Sequence, residues 1–414
     1  MKKLSILCYL CFLLAACSQS TELAFEGFME LTVINTLNQV RTDQLIWVKQ
    51  TVLEDRLELI NPNGFTVYVG NVELVSQYVN TGHERGLAIL IPQIRFKEEI
   101  RVQITYDPDR EEARFYPKRT QAELSHKMGG YFENRKYIGG EFENVEELHV
   151  PAEHTDHSWY IRYEGPGWES DQVGYRFYLD WRNGVDVFGK TVKEPILQLV
   201  GQDGFDSYHE LQDWGMDVLK VAKSLGVGSI ATFENNAARR VDETDSLYAA
   251  ITNNGVIYSS ILTKYHGWNL ESGKTTLTSN LSIHAGTRLS QQHLQSSKPI
   301  PNIATGLIKD NKAELLIGAE DKEYGYLATY GKQSLNEDNL GIVIFFRNDQ
   351  KVSITEDEFS HVVVLQPTDQ EVKYYFAAAW ELEPDGIKTK EEFVAYLERV
   401  TDELSNPLVV EIKK

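Results

Sequence analysis

The feature that most constrains this chain is its succession of short apolar or alternating runs, each closed by Gly, Asn, Asp or Pro. "MELTVINT", "LIWVKQTV", "LELINP", "FTVYVG", "LAILIPQI" and "IRVQITY" occupy residues 27–106. "VGYRFYLD", "VDVFGK", "GVIYSSILTKY", "TTLTSNLSIH", "YGYLATYG", "LGIVIFF" and "VKYYFAAAWEL" continue the pattern to the C-terminal end. Side chains of a strand point alternately to its two faces, so such runs read as strands with a buried face. The chain is therefore expected to be mainly β. A small N-terminal β-sandwich is expected over 27–106 and a large double-sheet sandwich over 117–414. The charged, proline-flanked "DPDREEARFYPKR" at 107–119 is expected to connect them. Helical spacing occurs in two places. "YHELQDWGMDVLKVAKSLG" (208–226) is partly amphipathic, and "TKEEFVAYLERVTDELS" (389–405) adds a Thr389 cap followed by Glu392.

The N-terminal residues speak to address. Lys2 and Lys3 precede an apolar run from Leu4 to Ala16, which ends in Leu14-Ala15-Ala16-Cys17. A basic start, a short apolar run and small residues before a cleavage point describe a secretory signal. The cysteine directly after it matches the bacterial lipoprotein pattern, in which that residue carries the lipid. Residues 1–16 are thus expected to be a signal peptide, Cys17 the lipidation site and 17–26 a tether to the outer membrane. The chain's other cysteines, Cys8 and Cys11, lie within that signal. A mature chain beginning at Cys17 would form no internal disulfide and would rely on its apolar core.

The formal net charge is −20 at pH 7. Removing residues 1–16 takes away two lysines and no acid, giving −20 − 2 = −22. Nucleic acid is not the expected partner, because phosphate binding needs a basic surface. An anionic small substrate remains compatible, since a local arginine cluster can sit inside an acidic shell.

Chemistry-bearing residues concentrate in "EHTDHSWYIRYEGPGWESDQVGYRFYLDWRNGVDVFGK", residues 153–190. The pattern reads as two strands of a hairpin turned at Gly165-Pro166-Gly167, with polar groups beside aromatic rings. Sugars present flat CH faces and hydroxyl rims, which rings and planar polar groups match. Aromatics make up 11% of the chain, in keeping with a sugar site. His154 and His157 are candidates for proton transfer, because histidine titrates near neutral pH. Their spacing on a loop and strand lacks the one-face geometry of a helical metal-binding pair, which leaves a metal open rather than indicated. No other cofactor is expected. His209 is a further proton-transfer candidate. No nucleophile elbow, phosphate loop or dinucleotide fingerprint is present.

These blocks, with "WGMDVLK" and the closing "YYFAAAWELE", resemble an uncharacterised-domain family of exported bacterial proteins from polysaccharide-utilisation gene clusters. The resemblance extends to an ulvan oligosaccharide dehydratase. The large domain is similar to the β-supersandwich of galactose mutarotases and several polysaccharide lyases. It implies a carbon–oxygen lyase, a dehydratase or polysaccharide lyase, acting on uronic-acid-containing oligosaccharides. The alternatives are a glycan-binding lipoprotein without catalysis and a mutarotase-like epimerase.

For β-elimination a base removes the C5 proton and a group leaves from C4. The site must also neutralise the adjacent carboxylate. On the residues themselves, Arg162 or Arg176 suits the carboxylate and His154 or His157 the base. Tyr175, Tyr178 or His209 suits the acid. Trp168 is the expected stacking platform, with Glu169, Asp171, Asp180, Arg182, Lys190 and Trp214 as further substrate contacts.

Overall fold

The structure, a computed structural model, describes residues 28–413. The expected signal, Cys17 and tether lie outside the described residues. The fold is mainly β, as the strand pattern indicates. Among the described residues two segments form α-helices, Gln50–Glu54 and Lys390–Ser405. No described helix is long and apolar enough to cross a membrane.

The N-terminal unit pairs a five-stranded sheet with a three-stranded one, Arg41–Lys49, Gly86–Ile94 and Ser76–Val79. Leu31, Val33, Val67, Ile89 and Ile104 meet between them. The edge strand Val409–Ile412 comes from the far end of the chain and runs antiparallel to Met29–Ile34. "LELINP" (57–62) forms turns rather than a strand.

The large unit is built on a nine-stranded antiparallel sheet. Its inner face packs against a six-stranded and a five-stranded sheet, with Tyr175, Val187, Leu281, Val363 and Phe376 in one core. Part of its outer face is covered by Lys390–Ser405. Phe393, Leu397 and Val400 lie on Ala328, Val343 and Ala377 there. Helical spacing sets those three apolar residues on one stripe. The helix begins with a capping box: Thr389 Oγ1 accepts from the Glu392 backbone N–H, and the Glu392 carboxylate accepts from the Thr389 N–H.

The six-stranded sheet positions the site. Its order is Glu141–Val145, Thr120–Met128, Gly167–Ser170, Gly174–Phe177, Val185–Lys190 and Gly215–Asp217. Two sequence expectations are corrected here. Residues 153–166 are not a strand: the hairpin runs between Gly167–Ser170 and Gly174–Phe177, and its turn is 171–173. The segment 208–226 is not a helix, although its apolar spacing fits one. Ser207–His209 is a single 3-10 turn and Gly215–Asp217 is the edge strand beside Val185–Lys190. The physical reason lies at Gly215, whose φ is +128° and where a Cβ would stand 1.9 Å from the Gly189 carbonyl oxygen. Only glycine tolerates that approach, and it fixes the edge strand in place.

Candidate functional site

Alternation along these strands sends Ala122, Trp168, Tyr175, Phe177 and Val187 into the core. The same alternation sends Glu123, Glu169, Arg176, Asp186, Lys190 and Asp217 to the opposite face. Cross-strand register sets them in rows. Glu123 faces Gly167, Gly167 faces Arg176, and Arg176 faces Asp186. Gly167 leaves a gap in this face that the Tyr163 ring fills, since a Cβ there would lie 2.8 Å from the Tyr163 hydroxyl.

Two irregular segments, 150–165 and 191–213, roof this polar face. Tyr163, Leu197, Tyr208 and Trp214 close over Phe188. The first segment is strained: His157, Trp159, Tyr163 and Glu164 all have φ between +38° and +71°. Non-glycine residues in this region cost on the order of 1–3 kcal/mol each and gather at functional sites.

Under the roof lie three ion-pair clusters. In the first, Glu123 accepts from Arg162 and from the Tyr163 hydroxyl at 2.8 Å. In the second, Lys190 meets Glu169 at 2.6 Å, and Glu169 also accepts the backbone N–H groups of Ile196 and Leu197. In the third, Arg176 Nη2 donates to Asp186 at 2.9 Å and to Asp217 at 2.6 Å, and Nη1 donates to the Tyr208 hydroxyl at 2.9 Å. The Tyr178 hydroxyl donates to Asp186 at 2.7 Å. This third cluster is almost completely buried. It holds two carboxyls against one guanidinium. Burial, then the neighbouring Asp186 charge, push the Asp217 carboxyl well above the usual carboxylate range, against the opposing Arg176 charge.

His209 stands at the edge of the third cluster, half-exposed, with Nε2 3.5 Å from Asp217 Oδ2. Its Nδ1 lies 2.5 Å from the Phe205 carbonyl oxygen. A carbonyl only accepts, so Nδ1 carries the hydrogen and Nε2 is left with a lone pair. Partial burial, then the Arg176 charge, lower its pKa, so the ring is neutral at pH 7.

A rim of partly exposed groups continues from there. The Phe205 ring lies 5.0 Å from His157 and 6.4 Å from Trp159. Beneath this rim Lys127, itself only 7% exposed, puts its ammonium 3.5 Å from the Trp159 ring centre, and no carboxylate pairs with it among the described residues.

The expected site residues divide accordingly. His157 and His209 reach the rim. His154 is buried against Ser158 Oγ at 2.8 Å, and burial lowers its pKa. Arg162 and Arg176, expected to face a substrate carboxylate, are both 2% exposed and held by the chain's own acids. Trp168 is no stacking platform: it is 1% exposed and stacked on Tyr175 in the core. Tyr175 points the same way, donating to the Arg288 carbonyl at 2.7 Å. Tyr178 is locked beneath the roof, where burial raises its pKa well above the ordinary value. Glu169 and Lys190 satisfy each other, and Trp214 packs edge-on against Phe188. Asp171 lies at the far end of the hairpin, bound to Arg119.

Asp180, Arg182, Glu164 and Asp156 form a fourth cluster centred on Arg182. Burial would raise Glu164, but the Arg182 and Arg176 charges hold it below the usual range. Asp156, His157 and Glu164 are close enough together to hold a metal ion. Arg182 already bridges both of those acids, at 2.7 Å to Asp156 and 2.9 Å to Glu164. The donor set therefore fits a guanidinium better than a metal ion.

Sequence reasoning missed Glu123 and Phe205, and it placed Lys127 in a glycine-rich loop over the site rather than on this strand. The alternation Gln121, Glu123, Ser125, Lys127 was the available signal for Glu123 and Lys127. A cavity of about 760 Å³ lies elsewhere, between the N-terminal unit and the nine-stranded sheet.

A roofed polar sheet face with a half-exposed histidine, on a mainly-β sandwich, is the class of protein that fold and site define. The chain belongs to the domain of unknown function family DUF4861, whose model matches residues 33–410. No curated protein sequence matches it. Similar solved structures include an α-mannosidase from Enterococcus faecalis V583, at 8% identity and a TM-score of 0.49. Another is a protein in the glycosyl hydrolase family 38 from Enterococcus faecalis, at 7% identity and a TM-score of 0.45. Each match covers 93% of this chain, but the chain spans less than half of those proteins, 46% and 47% respectively.

Proposed function

We propose that this protein is a carbohydrate-active enzyme that breaks a C–O bond by β-elimination on uronic-acid-containing oligosaccharides, and that the rim around His209 is its active site. The observation that carries the reading is His209 itself. It is a neutral imidazole whose Nε2 carries no hydrogen, set 3.5 Å from the buried Asp217 and beside the partly exposed rings of Trp159 and Phe205. Neutral imidazole takes the C5 proton, the C4–C5 double bond forms, and the C4–O bond breaks. The imidazolium then returns the proton to the departing oxygen, so protons balance within one residue. Lys127, not Arg162 or Arg176, faces the substrate carboxylate. Its ammonium lacks a carboxylate partner while both arginines are committed. An exported, lipid-anchored location, read from Leu14-Ala15-Ala16-Cys17, belongs to the same proposal.

The test incubates the protein with uronate oligosaccharides and follows the ultraviolet absorbance of the unsaturated uronate, with mass spectrometry beside it. Loss of one water from an intact chain marks a dehydratase, and chain cleavage marks a lyase. His209→Gln is expected to lower turnover by about 10²–10⁴ with thermal unfolding unchanged. Turnover of neutral sugars at the same rate as uronates would sink the elimination reading. Binding without any turnover would leave the rim a glycan-capture surface.

A further inference from the structure

We infer that the cleft between the N-terminal β unit and the nine-stranded sheet is a second binding site, for an oligosaccharide bearing acidic groups. This goes beyond the His209 reading and does not depend on it, since none of the rim residues lines the cleft.

The cleft has about 760 Å³ of space, within the roughly 300–1,000 Å³ of small-molecule sites. Its frame is rigid. Arg119 joins the two units, donating from Nη1 to Asp43 at 2.9 Å and from Nε to Asp171 at 2.8 Å. Arg288 donates to the buried Glu383 at 2.7 Å. These ion pairs hold the walls together.

Other groups lining the cleft are uncommitted. Lys373 makes no ion pair among the described residues, and its ammonium lies 5.4 Å from the Tyr375 ring centre. The Tyr396 hydroxyl is buried without a partner. A buried hydroxyl left unpaired is unfavourable, and a ligand hydroxyl that reached it would relieve this. Trp47 and Tyr375 line the same cleft, both partly exposed. Partly exposed rings, an unpaired hydroxyl and a free ammonium suit a sugar chain with acidic substituents better than an apolar ligand.

The test is calorimetry on the full protein with oligogalacturonates, oligoalginates and, as uncharged control, cello-oligosaccharides. Lys373→Gln and Tyr396→Phe are compared, each in a His209→Gln background that removes heat from turnover, with thermal melts to confirm folding. Lys373→Gln is expected to weaken acidic probes by about tenfold or more without changing the response to the uncharged control. Tyr396→Phe weakens binding less. No heat with any acidic probe, or binding unchanged by Lys373→Gln, overturns the inference.

Discussion

Both outer faces of the large sandwich are covered, and they are covered by opposite means. Part of the nine-stranded sheet is covered by a regular helix, and the contact is apolar: Phe393, Leu397 and Val400 on Ala328, Val343 and Ala377. The six-stranded sheet is covered by irregular chain, and ion pairs lie beneath the cover. The helix needs only a stripe of the right period. The loops need strained residues, a glycine gap for Tyr163 and partners for the charges of the three ion-pair clusters. The second arrangement is the harder one to maintain. What it adds is ionisable groups held in fixed positions beside a half-exposed histidine, which the apolar cover does not supply.

The largest expected effect comes from unbalancing the charged cover. Arg176→Met leaves Asp186 and Asp217 buried without their cation, and breaking such a cluster costs about 3–5 kcal/mol. Urea unfolding measures it. Replacing the whole cluster, with Arg176→Met, Asp186→Leu and Asp217→Leu together, should recover much of that stability while turnover stays lost. If Arg176→Met alone costs less than about 1 kcal/mol, the charges are hydrated and the contrast between the covers collapses. Phe393→Ala, under the helix, is expected to cost a similar or smaller amount, about 3–5 kcal/mol for a large buried ring. The contrast sharpens if turnover per folded molecule is unchanged in that variant.

A smaller effect separates the covers by pH. The folded-state pKa of Asp217 is raised by burial and by Asp186, so the folded protein keeps a proton that the unfolded chain releases. That contribution is fully present below the ordinary carboxylate value, near 4, and is lost as pH rises through the raised folded value. Each unit of displacement is about 1.4 kcal/mol. Asp217→Asn should flatten this fall in urea-unfolding free energy between pH 4 and neutrality. An unchanged slope would show that Asp217 ionises normally under the roof.

The two covers also differ in how far the sequence revealed them. Helix Lys390–Ser405 was legible because its signals are local: a cap at Thr389, its Glu392 partner and one apolar stripe. Strand alternation in "VGYRFYLD" likewise sets Arg176 on the face opposite Tyr175 and Phe177, which lie in the core. The roof was not legible. Residues 153–165 look like an alternating strand, yet left-handed turns at His157, Trp159 and Tyr163 break it. The 208–226 spacing imitates a helix, but Gly215 and the pairing of Met216 with Gly189 override it. Val409–Ile412 joins the first sheet across almost the whole chain, which no local pattern encodes. The site residues suffered most. Counting charges near aromatics pointed to the six-stranded sheet, but it could not show that Trp168 and Tyr175 face inward while Trp159 lies over the Lys127 ammonium.

The smallest expected effect tests whether the helical cover really depends on local signals. Thr389 is exposed, so its replacement removes the cap and little packing. Thr389→Ala should cost about 1 kcal/mol, read as a small shift in the urea midpoint at constant slope. The loss should be confined to the helical side, with the pH response of Asp217 and turnover at His209 unaltered. A drop of several kcal/mol would mean that the helix and the sheet beneath it unfold as one brittle unit. No drop would mean that the apolar stripe alone holds the helix on the nine-stranded sheet. Either result would revise the idea that regular structure covers one face because its own sequence starts it, while the other face is covered only because buried charges require it.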